Sequence, residues 1–304
     1  MDDMNTSNHK TNQVSEVGAA TGLPPIVLEQ LPNMPSLLGR AAFKSGHYQL
    51  GDKLPALSTE INNLLISPDH LRSYNAICGF ANSQILPATY LHMLAFPLSL
   101  NLLIQHDFPM RAMGQVHLRN RIAVHKVFDR TAAISMKATI GDSELTSRGV
   151  EWNIDVTATV DGEQVWSSTS TYLNRCKTGM PVKRETPILP QQGAQQWTVP
   201  ADTGRRYARI SADYNPIHLT DITARLFGFK QAIAHGMWSK ARCLAALEEQ
   251  LPEAGYSVDV AFQRPLFLPA TVTFNSDTHE QGQCFSLSNN ASGALHLLGQ
   301  IGQL

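Results

Sequence analysis

An acid and a base stand close together in this chain: Asp213 and His218, separated by Tyr214-Asn215-Pro216-Ile217. Proline fixes its own φ and steers the preceding residue away from helix, so Asn215-Pro216 reads as a turn. A carboxylate and an imidazole then project from two sides of one short loop, where they can hold a single water between them. A free aspartate, with a pKa of about 3.9, is a poor base at neutral pH. Burial in an apolar pocket raises that value and improves it. Histidine titrates near its working range already. The same residues also allow plainer roles. Asp213 can cap a helix expected over about residues 219–227 or close an Asx-turn with Asn215, and His218 can sit at that helix's start and bond to backbone.

Further along stands Ala234-His235-Gly236-Met237. Gly236 opens an apolar helical stretch that includes Met237, Ala241, Leu244 and Leu247. A helix N-terminus offers unpaired N–H groups and a partial positive charge. Glycine lets a ligand oxygen approach that backbone. A carbonyl placed there would be polarised as in an oxyanion hole. The alternative is that Gly236 only relieves packing between helix and sheet. His235 reads as a residue that fixes the turn, and Asn215 as one that orients Asp213 or His218 or simply shapes the loop. Tyr207 is expected to pack at the loop's base. Arg205, Arg206 and Arg264 are either solvated surface residues or partners for phosphates. His117 and His125 lie in a strand-like segment and read as ordinary sheet residues. No glycine-rich phosphate loop and no metal-ligand cluster is evident in the spacing.

The run from Tyr207 through Ser211, Asp213 and Asn215-Pro216-Ile217-His218 to Phe229, Ile233 and Ala234-His235-Gly236-Met237 resembles the hydratase motif of the MaoC-like dehydratases, the (R)-specific enoyl-CoA hydratases. The close match covers about residues 207–237. The order of elements extends a looser likeness over about residues 26–304. The resemblance implies a double hotdog: two α+β halves, each a curved antiparallel sheet wrapped around a long helix. It implies reversible hydration of a trans-2-enoyl thioester to an (R)-3-hydroxyacyl thioester, with Asp213 and His218 activating the water and the Gly236 N–H binding the thioester oxygen. The partner is then coenzyme A or acyl carrier protein as part of the substrate, with no metal or redox cofactor. Two other readings stay open: a hotdog thioesterase, and a non-catalytic acyl-thioester-binding protein.

The surrounding elements are laid out twice. An apolar helical stretch over about 88–105 precedes β-type stretches near 115–127, 132–140, 149–160 and 165–174. A second helical stretch, 236–250, precedes shorter ones near 258–262, 271–277, 284–287 and 295–301. A helix followed by several antiparallel-looking strands, repeated, indicates an α+β duplication. An ungapped alignment lays Tyr74, Ile77 and Asn82 over Tyr207, Ile210 and Asn215. It places Phe80 and Ile85 where the second half has Asp213 and His218, so the first half reads as a copy that has lost the acid–base pair. The expected divisions are a mobile N-terminal tail over 1–25, a degenerate hotdog over 26–176, a Pro- and Gln-rich linker over 177–196 and a catalytic hotdog over 197–304.

Composition agrees with this. The 304 residues are 43% hydrophobic and 16% charged, enough for a sizeable core and too apolar for general disorder. Twenty-four basic against 25 acidic side chains give a formal charge of −1. That balance sets up no field for nucleic acid. Cys78, Cys176, Cys243 and Cys284 stand far apart and form no Cys-x-x-Cys pair. The first 21 residues lack an apolar core of the signal-peptide kind, and no stretch approaches the ~20 apolar residues of a membrane span. A cytoplasmic enzyme, possible as a homodimer, is expected.

Overall fold

The computed structural model describes residues 23–81, 84–182, 189–190, 194–279 and 282–304. Residues 1–22 of the expected tail and residues 183–188 and 191–193 of the expected linker lie outside the described residues, as does Asn82 of the alignment. No helix among the described residues is long and apolar enough to cross a membrane.

The chain begins with β1 (Ile26–Leu28), α1 (Met34–Phe43), β2 (Ser58–Leu64) and α2 (Pro68–Cys78). The single helix expected over 88–105 is two: α3 (Ala88–Leu94) and α4 (Phe96–Leu103). Pro97 is the reason, since it lacks an N–H and its ring collides with the carbonyl four residues back, so the helix stops and restarts. Four strands follow: β3 (Val116–Val124), β4 (Ile134–Thr146), β5 (Gly149–Val160) and β6 (Glu163–Arg175). Apolar residues alternate along them. In β4, for example, Ile134, Met136, Ala138 and Ile140 are buried in turn.

Beyond the linker come β7 (Gln195–Val199), α5 (Thr203–Ser211), α6 (Asp221–Arg225), α7 (Gly236–Ala246), β8 (Tyr256–Phe262), β9 (Ala270–His279), β10 (Gly282–Asn289) and β11 (Leu295–Gln303). α7 ends ten residues into the expected stretch, and residues 248–250 form a 3₁₀ turn instead. β7 starts inside the segment expected to be linker.

All eleven strands join one sheet in the order β1-β2-β4-β5-β6-β3-β8-β11-β10-β9-β7. Every pairing is antiparallel except β1 with β2. Strands from before and after the linker meet only at β3–β8, where Ile122 faces Val258, both wholly buried. This is the double hotdog. The helices lie against the sheet with Leu91, Leu98 and Leu102 of the first half, and Ala241 and Leu244 of the second, fully buried. Each large aliphatic side chain removed from water in this way contributes about 1.5–3 kcal/mol.

Two contacts fasten the seam. α2 packs on α5, and Tyr74 and Tyr207, the two tyrosines matched by the ungapped alignment, approach with ring centroids 6.3 Å apart. Behind them Lys240 of α7 is completely buried. Its Nζ donates to the Asn120 backbone oxygen (3.0 Å) and Oδ1 (2.7 Å) on β3, and to the Val258 oxygen (2.9 Å) on β8. Three acceptors match the three hydrogens of an ammonium, although burial pulls the Lys240 pKa far below its ordinary value.

Candidate active site

The site grows out of the end of α5. The helix stops because Ala212 takes a left-handed conformation, φ +58°, which turns the chain sharply. Asp213 follows, and its Oδ1 accepts the Asn215 N–H at 3.2 Å. This is the Asx-turn foreseen as one role for Asp213. Asn215 in turn accepts the Ile217 N–H and heads the 3₁₀ turn Pro216–His218. α6 is capped by Thr220 and Thr223 in a reciprocal capping box, so Asp213 does not have the helix-capping role left open for it.

His218 is buried, and its Nδ1–H donates to the Ile233 carbonyl at 2.8 Å. That bond leaves Nε2 with a lone pair. Ile233 is itself fixed, its N–H on the Ile217 carbonyl and its backbone bridged to Phe267. The loop can seat against α5 because Gly204 has no side chain: a Cβ there would lie 2.1 Å from the His218 carbonyl oxygen. Gly204 was not singled out in the sequence, and only its place as the second residue of a short helix hinted at a close approach.

His235, at the head of α7, closes the ring. Its Nε2–H donates to the Asp213 carbonyl at 3.0 Å and lies 3.8 Å from the Asp213 carboxylate. The imidazole stacks on that of His218 and touches the Tyr207 ring, 4.9 Å between centroids. One carboxylate oxygen of Asp213 and one ring nitrogen each of His218 and His235 therefore gather within 4.8 Å of one another. The spacing of the sequence had shown no such three-way grouping. Gly236 follows at once, half-buried, and its N–H has no backbone acceptor among the described residues. A Cβ at 236 would meet the Phe262 ring at 3.0 Å, so the glycine is also needed for packing against β8.

Burial sets the electrostatics. It raises the Asp213 pKa, against the opposing pull of His218 and of the Asn215 N–H. It lowers His218 to about 3, with His235 adding to the effect and Asp213 opposing it. It lowers His235 to about 4. At neutral pH the site holds two neutral imidazoles and a carboxylate that binds its proton more tightly than usual. A carboxylate and a neutral imidazole set together in this way are groups able to exchange protons with a bound molecule.

At the two positions that the ungapped alignment matches to Asp213 and His218, the first half carries apolar side chains. Phe80 is buried and Ile85 half-buried, and α3 begins at Ala88 behind Pro87, which supplies no N–H. What the first half does bring is a polar–aromatic wall that the sequence reading missed. His117 on β3 stacks on Tyr172 of β6 at 4.7 Å and contacts Phe262, the ring beside Gly236, at 4.9 Å. Burial holds His117 down at about 3 and, with a smaller contribution from the Asp213 charge, raises the Tyr172 phenol to about 12. A bulge in the β3–β6 register between His117 and Arg119 turns this ring, a signal no strand periodicity carries. His125 bonds to Ser167 away from the site. Arg205 donates to the Leu219 carbonyl, and Arg264 is exposed.

The chain is 32% identical over 255 residues to 3-hydroxyacyl-thioester dehydratase X of Mycobacterium tuberculosis, covering 82% of this chain and 90% of that one. A family model described as MaoC like domain matches residues 179–296. The chain belongs to the MaoC-like dehydratase family. The match to that family's model spans the whole Asp213–Gly236 constellation. A crystal structure of the mycobacterial HtdX superposes on this MaoC-like chain with a TM-score of 0.71 at 29% identity, covering 81% of this chain and all of the other. A MaoC-like dehydratase from Phytophthora capsici superposes with a TM-score of 0.67 at 17% identity, covering 84% and 98%. The latter likeness is one of fold.

Proposed function

We propose that this MaoC-like chain catalyses the reversible hydration of trans-2-enoyl thioesters, carried on coenzyme A or acyl carrier protein, to (R)-3-hydroxyacyl thioesters. The observation that carries the reading is the meeting of the Asp213 carboxylate with the His218 ring beside the open N-terminus of α7. The relative's name, a 3-hydroxyacyl-thioester dehydratase, supports the same reaction class.

The thioester oxygen sits on the Gly236 N–H, where the helix dipole stabilises the enolate that develops. Water is held between Asp213 and the Nε2 lone pair of His218. Its hydroxyl adds to the β-carbon while its proton passes to the pair, and a proton from the same pair is delivered to the α-carbon. Both additions come from one face, so the outcome is syn. Dehydration is the reverse. Asn215 and His235 hold Asp213 in place through the bonds described above. The first half, without a pair of its own, shapes the acyl pocket.

A spectrophotometric screen from crotonyl-CoA to long-chain enoyl-CoAs, following loss of the conjugated double bond, tests the proposal. Chiral analysis of the product should give the (R)-alcohol. Release of free thiol without hydration would establish a thioesterase instead. No turnover and no thiol release across the panel would establish a binding protein.

A further inference from the structure

A cavity of about 200 Å³ opens at the seam between the halves, away from the acid–base pair. Ala76, Ile77 and Gly79 of the α2 end, Pro200, Thr203 and Arg206 at the start of α5, and Trp238 and Arg242 of α7 line it. Ligand pockets for whole small molecules run to ~300–1,000 Å³, so this one suits a single chemical group.

Arg242 is the unusual member. Its guanidinium lies over the Trp197 ring, 4.3 Å from the centroid. On the other side it fits only because residue 79 is glycine, where a Cβ would stand 3.1 Å from Nη1. The group is half-buried, and burial lowers its pKa. Yet it makes no hydrogen bond or ion pair among the described residues, and the buried thiols of Cys78 and Cys243 beside it stay protonated and bring no counter-charge. Arg206, exposed on the next helix, also has no partner among them. Two unpaired guanidinium groups share one recess, and no carboxylate lines it. The nearest acids along the chain are otherwise placed: Glu248 accepts the Ala81 N–H, and Asp202 stands just before α5. The buried Thr203 adds a hydroxyl, which makes no hydrogen bond to a described residue, at the wall.

A half-desolvated guanidinium without a counter-charge is costly, and a planar fork of N–H donors beside a second one is the arrangement that phosphate oxygens satisfy. We propose that this seam cavity binds a phosphate group, clamped between Arg206 and Arg242. Two sources share that chemistry: a phosphate of the coenzyme A carrier, and free inorganic phosphate. Either one bridges α5, which leads into Asp213, and α7, which begins at Gly236. The coenzyme arm rests on the hydratase reading, whereas the binding arm does not.

The test uses the full chain and tryptophan fluorescence, since Trp197 and Trp238 flank the site. Inorganic phosphate and adenosine 3′,5′-bisphosphate are titrated separately. A saturable change is expected, weakened at least ~10-fold in Arg206→Gln and in Arg242→Gln, the loss of one charge-assisted contact. Arg206 is exposed, so its variant keeps the test open if Arg242→Gln does not fold. With the coenzyme as source, Arg206→Gln raises KM for an enoyl-CoA about tenfold with kcat unchanged, and the dephospho-coenzyme thioester shows no such difference. With free phosphate as source, KM is unmoved for both thioesters while inorganic phosphate still binds. No saturable response at concentrations on the order of 10 mM, or an identical response in wild type and both variants, overturns the proposal.

Discussion

The imidazoles of His218 and His235 lie face to face, 3.7 Å between ring centroids and 24° from parallel. Burial keeps both rings neutral, with His235 adding to the effect at His218, so at neutral pH the His218 Nε2 lone pair can accept a hydrogen bond from water.

Three buried histidines make the protein sensitive to acid. His117, His218 and His235 have folded pKa values of about 3, 3 and 4, below the ordinary 6.5. Groups depressed on folding stabilise the protein above their unfolded pKa, and that stabilisation is lost as pH falls through the folded values. Each can contribute a slope of up to about 1.4 kcal/mol per pH unit below ~6.5. Asp213, raised on folding by burial, acts in the opposite sense, from its ordinary carboxylate range upward. Urea midpoints should therefore fall from pH ~7 to pH ~4.5, and His235→Phe should flatten the decline. A wild-type midpoint independent of pH over that interval would contradict the neutral stack.

Asp213→Asn and His218→Gln should each lower the hydration rate by at least ~10². Because both act on one water, the double variant should be little worse than the worse single one. Fully additive losses, or near-normal rates in either folded single variant, would show that they do not share a water.

Gly236→Val should reduce kcat by ~10²–10³, the scale of a lost oxyanion contact. The valine side chain must displace the Phe262 ring and stands where the thioester approaches. Pairing it with Phe262→Ala relieves the packing collision, so a folded double variant that stays slow assigns the loss to the carbonyl site. A bound acyl-CoA whose carbonyl lies far from Gly236 would refute the assignment.

Titration with a tight, unreactive acyl-CoA analogue should saturate at one ligand per chain, because Phe80, Ile85 and Pro87 offer neither proton carrier nor donor. Two equivalent sites, or full activity after Asp213 is replaced, would mean the first half is not degenerate. Residues 197–304 alone should be poorly soluble or inactive, since β8 would lose its partner β3.

Lys240→Met should destabilise the chain by about 1–3 kcal/mol for each acceptor left unpaired at Asn120 and Val258. Chemical denaturation measures it. An unchanged midpoint would show that the seam does not depend on this side chain.

The grouping of Asp213, His218 and the His235-Gly236 step was legible through the motif they resemble and through the turn that Asn215-Pro216 imposes between Asp213 and His218. The long strands of the first half were legible too, since each alternates along its length. Other features were not. β1 and β7 are too short to show a period. α5 is polar on one face and hid inside the motif. Gly204, the stacking of His218 on His235 and the approach of His117 to Phe262 depend on residues far apart in sequence meeting in space. The break between α3 and α4 was written in Pro97, but the apolar run on both sides concealed it.

The sheet order has one more outcome. Both ends of the eleven-stranded sheet are its shortest strands, β1 of three residues and β7 of five, while the long strands β4, β5 and β6 are all paired on both sides. A ladder that wide, left with long open flanks, would invite other chains to extend it end to end. Here the outermost strands, β1 and β7, keep that template to a few residues at each end of the described sheet.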